Sequence, residues 1–90
     1  KSNYRVAVGR SKKVAGPYLD KDGKDMRNGG GTLLLEGDKK EYEAMGHCSA
    51  YSFLDGDFFF CHGYSVPKNG ASILVQTKIN WTEDGWLMLE

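Results

Sequence analysis

The sequence predicts an all-β fold built of antiparallel four-stranded meanders. Apolar runs of four to eight residues recur along the chain, and Gly-, Asp- and Asn-rich turns separate them. No stretch of a dozen residues keeps a 3.6-residue period without a glycine, so no helix is expected.

Tyr4–Val8 alternates with Arg5 and Ala7 and ends at Gly9. Val14–Tyr18 is short and contains Pro17, which removes a ladder donor, so it reads as an edge or turn segment. Asp20–Asp25 is a turn-rich loop, and Met26–Gly31 continues it to the triplet Gly29-Gly30-Gly31. Thr32–Glu36 reads as a buried strand bounded by Gly37-Asp38, and Lys39–Gly46 as a charged connection.

The clearest unit follows. Cys48–Leu54 and Asp57–Tyr64 flank Asp55-Gly56, a preferred pair for a two-residue type I′ hairpin turn. That turn sets Leu54 against Asp57, Ala50 against Cys61, His47 against Tyr64 and Ser49 against His62. Pro67–Gly70 is the next turn, Ser72–Ile79 the third strand, Thr82–Gly85 a further turn and Trp86–Leu89 a short last strand. Side chains alternate along a strand, so Phe58, Phe59 and Phe60 load both faces. Such a sheet is expected to lie between neighbours, as in a propeller blade; a barrel or sandwich shares the turn spacing.

Size and charge narrow the function. Ninety residues fit one small domain or part of a larger one. Twelve basic and twelve acidic side chains cancel, and no basic stripe points to nucleic acid. No apolar run approaches the roughly 20 residues of a membrane-spanning helix. The chain opens at Lys1 without an initiator Met, so it reads as a processed, cut or engineered chain.

Four groupings of residues have the composition of a chemical site. Cys48, Cys61, His47 and His62 cannot converge on a tetrahedral metal: the hairpin sets the two histidines on one face as diagonal neighbours and the cysteines on the other. The cysteines are out of register for a disulfide and read as two buried thiols. Asp20-Lys21-Asp22 opens like a calcium loop, but Lys24, Asp25 and Gly31 stand where ligands and a turn glycine belong, so it reads as a solvated turn. The glycine triplet lacks the Lys-Ser/Thr of a phosphate loop, and close packing explains it better. Asp55 with Asp57, and Glu41 with Glu43, read as turn and surface residues rather than the carboxyl pair of a glycosidase. His47, behind Gly46 at the mouth of a strand, stands where a propeller axis would pass; on residues alone a hydrogen-bonded structural histidine is the commoner reading. His62, inside an aromatic strand, carries the weaker functional signal.

Several segments in succession resemble the family 43 glycoside hydrolases of the endo-arabinanase type. They are Tyr4-Arg5-Val6-Ala7-Val8-Gly9-Arg10-Ser11, Gly16-Pro17-Tyr18-Leu19-Asp20-Lys21-Asp22-Gly23, Gly29-Gly30-Gly31-Thr32-Leu33-Leu34, Gly46-His47, Cys61-His62-Gly63-Tyr64, Asn80-Trp81 and Asp84-Gly85-Trp86. The resemblance covers nearly the whole chain. It implies a five-bladed β-propeller, of which 1–36 supplies part of the penultimate blade and 37–90 the final blade. It implies inverting hydrolysis of α-1,5-linked arabinan by an Asp, Asp and Glu at the inner strands of the first three blades. No segment here matches those blades, so no catalytic carboxylate carries over, and the N-terminal blades of a parent chain are the expected partner. Gly46-His47 matches the family pair whose histidine lies on the axis and helps hold a hydrated metal ion, commonly assigned as calcium. By the same resemblance the parent is expected to be secreted or periplasmic in a bacterium. Met45, Ser65 and Leu87 depart from the usual Pro, Asp and Pro. The other reading is a non-catalytic carbohydrate-binding or interaction module derived from a propeller, with Trp81 and Trp86 as its sugar platforms.

Overall fold

The computed structural model describes residues 3–90; Lys1 and Ser2, the first residues of the 1–36 segment, lie outside them. Two antiparallel sheets form. Strands β1 (Arg5–Val8) and β2 (Thr32–Glu36) make the first, and β3 (Tyr42–Phe53), β4 (Gly56–Ser65), β5 (Ala71–Trp81) and β6 (Leu87–Leu89) form a meander in that spatial order. The all-β meander is therefore observed, with one 3₁₀ turn, Met26–Asn28, as the short helical exception.

The long loop between β1 and β2 is organised by a buried carboxylate. Asp20 accepts from the backbone N–H groups of Asp22 and Lys24 through one oxygen and of Gly31 through the other, each at 2.9 Å. These amides hold its pKa below the usual carboxylate value, with burial opposing them. The expected solvated turn is thus a loop folded around Asp20. Gly30 is required by space: a Cβ there would lie 2.7 Å from the carbonyl oxygen of Asp25.

Residues 39–46 are mostly strand rather than connector. The Asp38 side chain accepts from the amides of Lys40, Glu41 and Tyr42, which closes the loop and starts β3 at Tyr42. The hairpin also differs from the expected register. Phe53 faces Gly56, so the loop is Leu54-Asp55 rather than Asp55-Gly56. Neither Leu54 nor Asp55 takes a positive φ, and Gly56 instead does so at 143°, with the Lys78 side chain passing over it. A type I′ turn needs positive φ at both loop residues, so this turn is of another type. Moving the turn by one position shifts each pairing by two residues: Ala50 faces Phe59 and Ser49 faces Phe60. A two-residue shift preserves the faces, because side chains alternate with period two.

Two further register shifts do not come from the turn, one between Tyr42 and Ala44 and one between Gly46 and Ser49. Gly46 faces His62 while Ser49 faces Phe60, so His47 and Cys48 together oppose the single residue Cys61. That is a β-bulge, and His47 takes φ 53° within it.

The core lies between the sheets. Met45, Phe59, Cys61 and Ile79 are buried, and Val6, Leu34 and Leu35 from the first sheet pack on them with Val75, Leu87 and Leu89. Fully burying each large apolar side chain is worth about 1.5–3 kcal/mol. The opposite face of the meander carries Tyr51, Phe53, Phe58 and Phe60 in edge contacts at 4.9–6.3 Å between ring centres. Tyr51 is 63% and Phe53 49% exposed, so this aromatic face is open to solvent.

Candidate functional site

The site is built by the approach of Tyr4 to β3. Its carbonyl accepts from the Met45 N–H at 3.3 Å, and its hydroxyl accepts from the His47 N–H at 3.1 Å. Between these bonds the Tyr4 ring lies flat against Gly46, where a Cβ would come within 2.5 Å of Cζ. Gly46 is therefore a glycine for space, since its own φ is not positive. The tyrosine hydroxyl satisfies the His47 amide on the outer edge of β3, beside the Met45 amide bonded to the Tyr4 carbonyl, and so holds His47 in its left-handed conformation.

That conformation sets the His47 imidazole beside His62. The ring centres are 5.2 Å apart and the planes are inclined by 26°, a stacked arrangement. Ser72 Oγ on β5 lies 3.3 Å from His62 Nδ1. Both histidines are exposed and share the face that carries the open aromatic cluster. The expected same-face pairing of the histidines is observed, through the bulge rather than the register first expected.

The cysteines differ from each other. Cys61 is 1% exposed, whereas Cys48, expected to be buried, is exposed together with the rest of β3 from His47 to Phe53; both are free thiols. Burial pushes the Cys61 thiol pKa up, with a smaller push from Cys48 nearby.

The carboxylates have structural roles. Asp57 accepts from Ser52 Oγ at 2.6 Å and from Trp81 Nε1 at 2.8 Å, which lowers its pKa and ties the hairpin to β5. Glu43 pairs with Lys39 at 3.4 Å. Trp86 is not a sugar platform: it is 6% exposed, and the Arg10 guanidinium sits 4.2 Å over its ring while donating to the Asp84 carbonyl. Trp81 is 57% exposed, with its indole N–H committed to Asp57.

No group of three or more His, Cys, Asp or Glu converges on a metal position among the described residues. Calcium takes six to eight oxygen ligands. The described residues present no such oxygen set, and the exposed imidazoles of His47 and His62 are the side chains this part of the face offers.

No family model matches the chain. Its relatives are nonetheless consistent. It is 44% identical over 94% of its length to the extracellular exo-alpha-(1->5)-L-arabinofuranosidase ArbA of Cellvibrio japonicus (strain Ueda107), covering 24% of that protein. It is 39% identical over 94% of its length to the extracellular endo-alpha-(1->5)-L-arabinanase 1 of Bacillus subtilis (strain 168), covering 25% of it. Among solved structures, an exo-1,5-alpha-L-arabinanase from a bovine ruminal metagenomic library superposes with a TM-score of 0.94 at 52% identity, over 99% of this chain and 29% of that one. The Cellvibrio cellulosa alpha-L-arabinanase complexed with arabinohexaose gives 0.95 at 41%, over 100% and 28%. The GH43 endo-arabinanase of Bacillus licheniformis gives 0.86 at 38%, over 98% and 29%. The chain belongs to glycoside hydrolase family 43. It spans about a quarter of the length of the curated relatives it matches. The arabinanases of this family among its structural neighbours are five-bladed propellers, and the two packed sheets are part of that architecture.

Tyr4 and Ser72 were not singled out by sequence reasoning. Tyr4 acts 43 positions from His47, and nothing local marks either residue as a partner of a histidine.

Proposed function

We propose that the chain is the C-terminal part of an arabinan endo-1,5-α-L-arabinosidase, to which upstream blades supply the catalytic Asp, Asp and Glu. The observation that carries this reading is the superposition of the whole chain on arabinanases, one of them holding arabinohexaose. On this reading residues 1–36 complete a penultimate blade and 37–90 form the final blade. The division into a β1-β2 sheet and a β3–β6 sheet supports it. The open face of Tyr51, Phe53, Phe58 and Phe60 is then where the first blade packs and closes the ring, because the other face already packs on the preceding sheet.

Inverting hydrolysis of a glycosidic bond needs a carboxylic acid and a carboxylate about 6.5–9.5 Å apart. The present chain contributes closure of the ring and one axial imidazole, with arabinan or an arabino-oligosaccharide as the substrate of the assembled enzyme. His47 would anchor a hydrated calcium ion, which supplies a fixed positive charge to the cavity when bound. The chain's own residues position that imidazole through the Gly46 approach, the Tyr4 hydroxyl and the bulge. The naming of the curated relatives as extracellular supports secretion of the parent. Among the described residues no helix is long and apolar enough to cross a membrane.

The test is to join the upstream blades to this chain and assay linear α-1,5-arabinan. Cleavage to a ladder of internal products is expected, and loss of cleavage when the upstream Asp, Asp or Glu is replaced. Release of a single short product from the chain end would make the enzyme exo-acting. Calorimetric binding of arabino-oligosaccharide by the 90-residue chain alone would favour the non-catalytic module.

A further inference from the structure

We infer that the cleft between the β1–β2 loop and the β5–β6 turn binds an acidic saccharide, one whose sugar rings carry carboxylates. The cleft has a volume of about 880 Å³, within the roughly 300–1,000 Å³ of small-molecule sites. Both walls come from this chain: the loop on one side, Asp84 and Trp86 on the other. The Arg10 guanidinium that covers Trp86 comes from the β1–β2 loop. The cleft therefore sits where the two sheets of this chain meet, not on the aromatic face assigned to a further blade. Its walls are fixed. Arg10 and Leu19 exchange two backbone hydrogen bonds at 2.9 Å, and Arg10 Nη1 donates to the Asp84 carbonyl at 2.6 Å. The Lys12-Lys13 turn is held by the Lys13 N–H on Ser11 Oγ at 3.1 Å and the Gly16 N–H on the Lys13 carbonyl at 3.0 Å. A site ordered in advance loses less entropy on binding.

Charge selects the ligand. Six of the chain's twelve basic side chains (Arg10, Lys12, Lys13, Lys21, Lys24 and Arg27) lie in residues 9–31, against the carboxylates of Asp20, Asp22 and Asp25. Asp20 and Asp25 already accept from backbone amides of their own loop. Within the cleft, Arg10 is committed to Trp86 and the Asp84 carbonyl. Lys12, Lys13 and Lys21 are exposed, and no ion pair engages them among the described residues. The exposed Asp84 carboxylate accepts from Thr82 Oγ1, which together with the Arg10 and Lys21 charges holds its pKa below the usual value. A neutral arabinose chain makes no use of three free ammonium groups, whereas carboxylates do. Pro17, Leu19 and Trp86 line the same space and offer an apolar surface to the C–H face of a sugar ring. A bare anion such as phosphate would leave that surface and most of the volume unfilled. The choice of a saccharide rests on the arabinanase reading; the charge and the shape of the cleft do not.

The experiment uses the full-length enzyme that carries these residues, with trigalacturonate as the probe and isothermal titration as the readout. Binding is expected at about 0.01 M salt. It should weaken severalfold at about 0.15 M, where screening cuts the reach of exposed charges from about 30 Å to about 8 Å. Replacing Lys12, Lys13 and Lys21 together by Ala is expected to weaken binding about three- to 150-fold, the worth of three exposed ion pairs. Lys68→Ala, in the turn between β4 and β5, should leave it unchanged. Absence of binding by the parent at low salt overturns the proposal, as does an affinity indifferent to salt or an equal loss in Lys68→Ala. Inorganic phosphate or triglutamate that displaces the trisaccharide at equal or lower concentration also overturns it, in favour of a simple anion or an acidic peptide. Should the triple variant fail to fold, the salt and competition measurements on the parent decide. Hydrolysis of linear arabinan is followed in parallel and should persist in the triple variant. A parent that cleaves arabinan without binding trigalacturonate refutes the cleft alone; one that binds it without cleaving arabinan refutes the arabinanase reading and leaves the cleft.

Discussion

Replacing Gly46 by Ala isolates the contact on which the site is built. The added Cβ would stand 2.5 Å from Tyr4 Cζ, about 1 Å inside an ordinary contact. Gly46 has no positive φ, so the backbone itself accepts alanine. The cost therefore comes from displacing the Tyr4 ring. Overpacking of this kind costs about 1–3 kcal/mol. A ring pushed away by about 1 Å also gives up its bond to the His47 amide, worth a further net 0.5–1.5 kcal/mol or so. A total of about 1.5–4.5 kcal/mol is a large part of the roughly 5–13 kcal/mol expected for a domain of this length. In urea, with a slope of about 1–1.5 kcal/mol/M for a chain this small, the unfolding midpoint should fall by about 1–4.5 M. The decisive measurement is a double-mutant cycle with Tyr4→Ala, followed by tryptophan fluorescence. Once the ring is gone, the methyl group meets open space, and Gly46→Ala should become neutral or gain about 0.4–1 kcal/mol from the stiffer unfolded chain. A coupling above about 1 kcal/mol is expected. If Gly46→Ala costs the same in both backgrounds, the ring contact is not what demands glycine, and the account of how His47 is placed fails.

Other outcomes follow from the same coordinates. Cys48 should react with a thiol reagent within the mixing time of the folded chain, and Cys61 only on unfolding; two equally fast thiols would contradict the buried position of Cys61. The raised Cys61 pKa favours the folded state below the unfolded thiol value of about 8.5. That contribution should fade as pH rises through the higher folded value, so an alkaline scan of the urea midpoint should decline less in Cys61→Ala. Hydrogen bonds hold the pKa values of Asp20, Asp38, Asp57 and Asp84 below their ordinary value. Their stabilisation is present above the unfolded pKa of about 3.9 and should be lost as pH falls through the lower folded values. A urea midpoint that stays level or rises on acidification from pH 5 to pH 2 would refute that assignment.

The sequence by itself determined the strand pattern, the four-stranded meander, the placing of both histidines on one face and the family. These are local properties: side chains alternate every two residues, glycine and aspartate mark where a strand must turn, and short motifs keep their order. Thr32–Glu36 is observed with the bounds its composition suggests. A turn misplaced by one residue did no harm to the faces, since the register moved by two. The tertiary structure alone decided the bulge at His47, the exposure of Cys48, the burial of Trp86 under Arg10 and the use of Asp20 as the centre of a loop. The bulge and the burial of Trp86 depend on contacts between segments distant in the chain, Tyr4 against Gly46 and Arg10 against Trp86, whereas Asp20 gathers amides from within its own loop. Periodicity says which way a side chain points along its own strand; it does not say which ring from another strand arrives to cover it.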